Sequence, residues 1–169
     1  MTGDQTMRED ETRETLNYQE KREELIRFLA SPDNAIMVLA TAQNDRVLAR
    51  NVNVASDELD IYFFTWKHSR KCKQIEGNPR VALCKDLVQI EGVAEIVGPL
   101  ISEETKAYTD ILRNKFPKTI ALWKDRPGMV IVRIRPTSAV MGGSTDDPCL
   151  EFLDIENETA YTERWAHHE

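Results

Sequence analysis

The chain has 169 residues, of which 41% are hydrophobic and 30% are charged. This length and composition fit one ordinary globular domain, and they exclude collagen-like, repeat-dominated and largely disordered chains. The formal net charge of −7 would repel a nucleic-acid backbone unless basic residues gathered in one place. We therefore expect a single domain that does not bind nucleic acid.

The sequence also lacks the signals of membrane insertion, secretion and disulfide bonding. The longest apolar run, Ala35 to Ala42, is far shorter than the roughly 20 residues that span a bilayer. The N-terminus is acidic, whereas a secretory signal begins with basic and then apolar residues. Cys72, Cys84 and Cys149 have no CxxC spacing, which indicates neither a disulfide framework nor a zinc site. We expect a cytoplasmic protein with no bound metal and no membrane partner.

The N-terminal part of the chain predicts a tail, one helix and three strands. Residues 1–12 are polar, so they predict a flexible tail. From Glu14 to Ala30 the apolar residues take helical spacing toward the end, which predicts an amphipathic helix. The β-rich runs that follow are Ala35 to Ala42, Val47 to Ala55 and Leu59 to Thr65. Their connections are short and polar, so these strands should be antiparallel neighbours.

The middle of the chain predicts two helices and two further strands. Ser69 to Gly77 has helical composition with a capping serine at its start. Strand patterns follow at Val81 to Cys84 and at Leu87 to Val97. Ser102 then opens a helix that runs to about Lys115, with glutamates in its first turn.

The C-terminal part predicts a short helix, two closing strands and a polar tail. The helix covers Lys118 to Lys124, and the strands cover Met129 to Ile134 and Thr137 to Met141. Asp146 to Glu169 reads as a tail with the isolated anchors Phe152, Leu153 and Trp165. We divide the chain into the tail of residues 1–12, a domain of residues 13–145 and a C-terminal extension of residues 146–169.

These elements predict a mainly β (α+β) fold class. Antiparallel strands joined by short turns hide their edges best when the sheet closes on itself. We expect a small antiparallel barrel with peripheral helices.

The segment Ile61 to Cys84, I-Y-F-F-T-W-K-H-S-R-K-C-K-Q-I-E-G-N-P-R-V-A-L-C, carries the clearest chemical signal. A strand ends at Thr65, and a basic loop leads into the start of a helix. The backbone N–H groups of a helix start and the Ser69 hydroxyl can donate to a phosphate, while Arg70 and Lys71 neutralise its charge. This segment predicts an anion site.

The same segment resembles the pyridoxamine-phosphate oxidases, a family of FMN-binding split barrels. The pattern F-F-T-x(3)-S-R-K-x(2)-Q-I-E-x-N-P-R-V matches them nearly residue for residue, and Arg50 in A-R-N-V-N-V and the strand Glu91 to Glu95 follow in family order. The similarity spans about Ile36 to Met141, and the chain looks most like the general-stress-protein branch of the family.

The resemblance implies an antiparallel split barrel that forms a homodimer, with FMN bound in clefts between the subunits. Arg70 and Lys71 would hold the flavin phosphate, and the Arg50 position would also contact the cofactor. The residues that the resemblance assigns to cofactor binding are Arg50, Asn51, Val52, Asn53, Phe64, Thr65, Ser69, Arg70 and Lys71. The flavin would carry the redox chemistry, while the protein sets orientation and access.

The substrate side departs from the family pattern. The oxidases have a lysine where this chain has Ala55, and a flavin-contacting glutamine where it has Leu87. Tyr108 falls where those enzymes place a tyrosine that binds the substrate phosphate, but Arg113 is out of register with the companion arginine. The catalytic residues and the small-molecule substrate stay unknown, and we do not expect a true pyridoxamine-phosphate oxidase.

Simpler interpretations of the same residues stay open. A basic run is often only a solvated face, and Arg50 could pair with an acid on the strand surface. His68 is a single loop histidine, which seldom acts as a ligand or proton carrier. Trp66 is the tryptophan best placed to lie near a flavin, and Cys72 is best explained as a structural cysteine.

Two classes of function follow. The first is an FMN-dependent oxidoreductase, with an F420-dependent reductase as a variant because relatives bind that deazaflavin through the same barrel. The second is a non-catalytic protein that binds flavin or haem, for example in a stress response.

Overall fold

The computed structural model describes residues 13–142 and 149–164 of the chain. The strands are β1 (Arg13–Leu16), β2 (Ile36–Gln43), β3 (Arg46–Asn53), β4 (Ala55–Asp57), β5 (Asp60–Trp66), β6 (Arg80–Lys85), β7 (Val88–Pro99), β8 (Met129–Gly142), β9 (Cys149–Asp154) and β10 (Thr159–Arg164). The helices are α1 (Tyr18–Ala30), α2 (Arg70–Gly77), α3 (Lys106–Lys115) and α4 (Pro117–Trp123), with a 3-10 turn at Pro32–Asn34. The predicted tail of residues 1–12 and the predicted anchor Trp165 lie outside the described residues.

The strands form one antiparallel sheet that curves into a barrel. Along the sheet the order is β1, β10, β9, β8, β7, β6, β2 and β3, while β5 pairs with both β4 and β8. The long strand β8 pairs with β7 along one edge. Its other edge is shared, because the first half pairs with β5 and the second half pairs with β9. The predicted fold class, an antiparallel split barrel with peripheral helices, is confirmed.

The short connections set the antiparallel order, as the sequence indicated. Between β2 and β3 the paired residues Gln43 and Arg46 leave a turn of two residues. Both of these, Asn44 and Asp45, have positive φ values of 50° and 60°. Such a turn has the twist that antiparallel strands require, and Asn and Asp tolerate the left-handed conformation best among residues with a side chain.

Strand β8 replaces the two strands predicted on either side of Pro136. The pairs with β5 end at Ile134, and the pairs with β9 begin at Ser138. Pro136, which has no N–H to donate, therefore interrupts neither of these ladders. On the β7 side it stands opposite Gly92, next to a register shift that already breaks the regular pairing.

The prediction of a polar tail with isolated anchors is wrong for residues 149–164. This segment forms the hairpin of β9 and β10, which joins the sheet through β8. Leu153 is buried in the core, and Phe152 stacks on Tyr161 with ring centroids 5.1 Å apart. The strand alternation is short and many of its residues are charged, so the pairing partner rather than the composition makes this segment a strand.

Two helices begin later than the sequence predicted. The helix expected from Glu14 begins at Tyr18, because the Asn17 side chain accepts from the backbone N–H groups of its first turn and the residues before it form β1. The helix expected at Ser102 begins at Lys106, because Ser102 Oγ accepts from the backbone N–H of Thr105 in a preceding turn. No helix within residues 13–142 and 149–164 is long and apolar enough to cross a membrane.

Two apolar clusters hold the helices on the barrel. The larger cluster fills the barrel and includes Leu25 and Leu29 of α1 together with Phe63 of β5. The smaller cluster packs Leu112 of α3 and Ile120 of α4 against the outer side of β5 and β8. Because successive residues of a strand point to opposite faces, β5 contributes to both clusters, with α3 packed near Tyr62 and α4 beside the C-terminal end of the strand.

The packing predicts that residues 149–164 stabilise the whole barrel. Replacing Leu153, which is 1% exposed, by alanine should reduce the free energy of unfolding by about 2 to 5 kcal/mol, because it leaves a cavity in the core. The matched control is Leu122→Ala on α4, where the leucine is 65% exposed and the change should stay within about 0.5 kcal/mol. Urea denaturation of both variants measures the difference. Equal stabilities would show that the hairpin of β9 and β10 does not share the core.

Candidate functional site

The barrel is open between β3 and β5. Strand β3 pairs with β2 along one edge, and its other edge pairs with no strand in the described part of the chain. Strand β5 pairs with β4 only from Asp60 to Tyr62. Along the same edge, the residues from Phe63 to Trp66 pair with no strand in the described part of the chain. Two strand edges with unused backbone donors and acceptors therefore lie near each other.

A depression lies at this opening, and we call it the aromatic depression. It has a volume of about 330 Å³. Its lining residues come from β3, β5, α2, α4 and β8: Asn51, Val52, Asn53, Phe64, Thr65, Trp66, Lys71, Thr119, Trp123 and Met129. A planar ligand with polar edges could bond to the strand edges while its faces meet the aromatic side chains.

A second depression adjoins the first, and we call it the basic depression. It has a volume of about 390 Å³ and is lined by Leu48, Ala49, Arg50, Arg70 and Lys71. The Lys71 side chain lines both depressions. One ligand could therefore place an anionic group among the cations and a planar group at the opening of the barrel.

Helix α2 brings the basic residues to this place. Ser69 caps the helix, and its Oγ accepts from the backbone N–H of Cys72 at 3.4 Å. Arg70 and Lys71 follow at once, and the first turn holds no acidic residue. Cations at the positive end of a helix dipole destabilise the helix, whereas an anion there is stabilised. The local sequence therefore favours an anion at the start of α2, whereas it destabilises the helix when no anion is bound.

Arg50 reaches the cluster from β3 and is held by neutral groups. Its Nη1 donates to Thr41 Oγ1 at 2.5 Å and to the Leu39 carbonyl at 3.3 Å. Its Nη2 donates to Gln74 Oε1 at 3.1 Å. Burial lowers the pKa of Arg50, and the positive charge of Arg70 lowers it further.

Lys71 is also held by a neutral oxygen. Its Nζ donates to Thr65 Oγ1 at 2.9 Å. Burial lowers the pKa of Lys71, and the Arg50 guanidinium lowers it further. Within residues 13–142 and 149–164, no carboxylate forms a salt bridge with Arg50, Arg70 or Lys71. Three uncompensated cations converge here, which is the electrostatic requirement for binding a doubly charged anion such as a phosphate monoester.

All nine residues predicted for cofactor binding lie at these two depressions or at the start of α2. Arg50, Arg70 and Lys71 line the basic depression. The residues from β3 and β5 line the aromatic depression: Asn51, Val52, Asn53, Phe64 and Thr65. Ser69 caps α2 beside them.

Five further residues at the site escaped the site prediction. Thr119, Trp123 and Met129 line the aromatic depression from α4 and β8, which are distant in sequence from the basic motif. Thr41 and Gln74 are buried behind Arg50. A glutamine four residues after Arg70 lies on the same face of the helix, and this spacing is the signal that could have found Gln74.

The remaining residues weighed from the sequence take structural or peripheral positions. Trp66, which is 55% exposed, lines the aromatic depression, and the His68 ring makes a T-shaped contact with it at a centroid distance of 5.6 Å. Cys72 is buried, and burial raises the pKa of its thiol, which fits the structural cysteine that the sequence suggested. Tyr108 stacks on Tyr62 in the smaller core cluster and lines neither depression.

No metal centre is formed by the part of the chain that the structure describes. There, no group of three or more His, Cys, Asp or Glu side chains is placed to hold a metal ion.

Comparison with known proteins agrees with the fold. A family model described as pyridoxamine 5'-phosphate oxidase matches residues 21–140. Among curated proteins, nothing matches the chain.

Several solved structures share the architecture at low sequence identity. The General Stress Protein 26 from Bacillus anthracis is 24% identical with a TM-score of 0.56, and the match covers 83% of this chain and 100% of that one. A FAD-binding protein from Mesorhizobium loti is 18% identical with a TM-score of 0.53, covering 75% and 94%. A heme binding protein from Mycobacterium smegmatis is 15% identical with a TM-score of 0.64, covering 81% of this chain and 59% of that one. These likenesses support the fold.

Proposed function

Because the chain belongs to the pyridoxamine 5'-phosphate oxidase family, we propose that it binds FMN and acts as a flavin-dependent oxidoreductase. The observation that carries the proposal is the convergence of Arg50, Arg70 and Lys71, which find no acidic partner among the described residues. The phosphate of FMN is a dianion near neutral pH, and three cations beside a helix start supply the charge and the donors that it needs.

The residues of the two depressions suit the two ends of FMN. The phosphate would be held by Arg50, Ser69, Arg70 and Lys71. The ring would lie at the opening of the barrel along the edges of β3 and β5, where Asn51, Val52, Asn53, Phe64 and Thr65 line the aromatic depression. When bound, the flavin would accept and donate electrons or a hydride at its ring. The chain itself would orient the ring and exclude water from one side of it.

The substrate is not that of a true pyridoxamine-phosphate oxidase in this proposal. Ala55 stands where those enzymes have a lysine, and it is 1% exposed within the smaller core cluster. Tyr108 is engaged with Tyr62, at a centroid distance of 5.2 Å. Neither position offers a cation to a substrate phosphate, because Ala55 has no polar side chain and Tyr108 is neutral.

We also propose a homodimer, with the outer face of the sheet as the contact. The exposed apolar residues of this face include Ile36 and Val38 of β2 and Val47 of β3. A shallow depression of about 290 Å³ lies beside them, and small residues of β2, β6 and β7 line it, among them Ala40, Ala42, Ala82 and Gly92. The charged residues Arg80 and Glu91 line the same depression, so the face combines exposed apolar residues with charged ones, and a second copy of the chain would cover the apolar ones.

FMN binding is expected to depend on the phosphate cluster. The double variant Arg70→Ala with Lys71→Ala loses two charge-assisted contacts, each worth about 1.5 to 3 kcal/mol, so its affinity for FMN should fall by roughly a hundredfold or more. Riboflavin, which lacks the phosphate, should bind both proteins alike. Quenching of flavin fluorescence during titration measures all four affinities.

The matched control for this titration is the double variant Arg27→Ala with Lys106→Ala, which removes two exposed cations far along the chain from the cluster. Its FMN affinity should be unchanged. Unchanged FMN affinity in the folded Arg70→Ala, Lys71→Ala variant would show that the phosphate lies elsewhere.

A visible spectrum of the purified protein distinguishes FMN from the alternative cofactors, because haem gives a Soret band and F420 a deazaflavin band.

Oxidoreductase activity should appear as reduction of the bound flavin by a nicotinamide donor. We expect NADH or NADPH to bleach the visible flavin band of the FMN-loaded protein under anaerobic conditions faster than that of free FMN, because the protein orients the ring. Stopped-flow absorbance measures the rate. If neither donor reduces the bound flavin, the oxidoreductase proposal is contradicted, and a non-catalytic flavin-binding protein becomes the better interpretation.

If the dimer forms through the outer face of the sheet, a charged residue introduced there should change the oligomeric mass in solution. Val38→Arg should yield a monomer, because burying an unpaired charge in an apolar contact is costly. Leu122→Arg on α4 alters an apolar residue that is 65% exposed, against 39% for Val38, and it should leave the dimer intact. Light scattering after size exclusion gives the masses. A monomeric parent protein, or a dimeric Val38→Arg variant, would contradict the proposed contact.

A further inference from the structure

We propose that Thr41 and Gln74 are positioning residues, which hold the Arg50 guanidinium in place and leave its charge free for a phosphate group. This inference rests on the proposed phosphate site and adds to it two buried residues that do not touch the ligand.

Three elements meet at this network. Thr41 lies on β2, Arg50 on the neighbouring strand β3, and Gln74 on α2. Thr41 Oγ1 donates to Gln74 Oε1 at 2.7 Å and accepts from Arg50 Nη1 at 2.5 Å. Gln74 Oε1 also accepts from Arg50 Nη2 at 3.1 Å. The three side chains therefore form a closed ring of hydrogen bonds.

Burial makes the network rigid. Thr41 is 1% exposed and Gln74 is 4% exposed, so neither side chain can exchange its partners for bulk water without disturbing the packing. The second polar atom of the amide is also used, because Gln74 Nε2 donates to the Arg46 carbonyl at 3.3 Å. This bond fixes which way the amide faces and presents Oε1, an acceptor, to Arg50.

The count of Arg50 donors shows what the network leaves available. A guanidinium has five N–H groups, and the described contacts occupy three of them, on Leu39, Thr41 and Gln74. The Nε–H and one N–H of Nη2 have no acceptor among the described residues. Two donors of one planar group therefore remain for an anion, as a phosphate contact of the forked type requires.

The chemistry of the acceptors matters as much as their number. A carboxylate in place of Gln74 or Thr41 would hold Arg50 equally well, but it would neutralise the charge. The hydroxyl, the amide and the carbonyl orient the guanidinium and leave its net charge in place. Arg50 lines the basic depression together with Arg70 and Lys71, so the retained charge adds to theirs.

The expected effect of the network is therefore selectivity for a phosphorylated ligand. A free arginine side chain must be ordered when the ligand binds, and this ordering weakens affinity. Holding Arg50 in advance removes that cost for FMN. It does nothing for riboflavin, which has no phosphate to meet the guanidinium.

Two substitutions of Thr41 separate positioning from structural support. Thr41→Val keeps the shape and removes the hydroxyl, whereas Thr41→Ser keeps the hydroxyl and removes a buried methyl group. We expect Thr41→Val to bind FMN roughly tenfold more weakly and Thr41→Ser to bind it within about twofold of the parent protein. Riboflavin affinity should stay unchanged in both. Gln74→Leu, which removes both acceptor and donor, should match or exceed the effect of Thr41→Val.

A purely structural role predicts a different pattern. In that case FMN and riboflavin affinities would fall together, and they would follow the thermal midpoints of the variants rather than the presence of the hydroxyl. That result, or equal FMN affinity in all variants, would overturn the proposal.

A measurement on the flavin-free protein keeps this inference distinct from the proposed function. Rotation of the Arg50 guanidinium, followed by NMR of its Nη groups, should be slow in the parent protein and in Thr41→Ser, and fast in Thr41→Val and Gln74→Leu. Equal rotation in all four proteins would refute the positioning role even if FMN binds. Slow rotation in a parent protein that ignores FMN would instead overturn the proposed function alone.

Discussion

The site depends on one gap in the hydrogen bonding of the sheet, the unpaired edges of β3 and β5. A barrel closed at this point would use its backbone donors and acceptors internally and leave only side chains for a ligand. The short strand β4 occupies the edge of β5 from Asp60 to Tyr62, and the rest of that edge pairs with no strand among the described residues. Helix α2 follows β5 directly and brings its N-terminus to the same gap. The opening of the barrel and the basic cluster thus arise from one local arrangement.

The electrostatics of the cluster oppose the stability of the ligand-free protein. Arg70 and Lys71 stand at the positive end of α2, and burial as well as mutual repulsion lower the pKa values of Lys71 and Arg50. A helix chosen for stability alone would begin with acidic residues. Local rules that fail in this way are typical of functional sites, since the unfavourable interactions are relieved when the ligand binds. The neutral acceptors Thr41, Thr65 and Gln74 give Arg50 and Lys71 fixed positions without reducing this attraction for an anion.

The sequence could predict the barrel and indicate the basic cluster of the candidate site because both depend on local patterns. The turn at Asn44 and Asp45 and the run from Ser69 to Lys71 each lie within a few residues, so composition and spacing reveal them. The hairpin of β9 and β10 could not be found in this way, because its charged, short strands acquire their structure from β8 and β1. The same holds for Thr119 and Trp123, which reach the aromatic depression only through the packing of α4 on the barrel. Contacts between distant segments are a property of the folded chain and leave no periodic signal.

The family pattern has cofactor-phosphate positions and substrate positions, and this chain matches the first set better than the second. The difference bears on its substrate. In the proposed phosphate-binding half, the residue types match the family pattern, and Arg50, Arg70 and Lys71 line one depression. In the substrate half, Ala55 is packed in the core, and Tyr108 is stacked on Tyr62, whose pKa burial raises to about 12. A phosphorylated substrate needs a second set of cations, and these positions supply none. The residues that line the aromatic depression include the large side chains of Trp66, Trp123 and Met129, beside the neutral polar residues Asn51, Asn53 and Thr119. If FMN binds here as proposed, a reactant that meets it would therefore be recognised through planar, apolar and neutral polar groups rather than through a second set of cations.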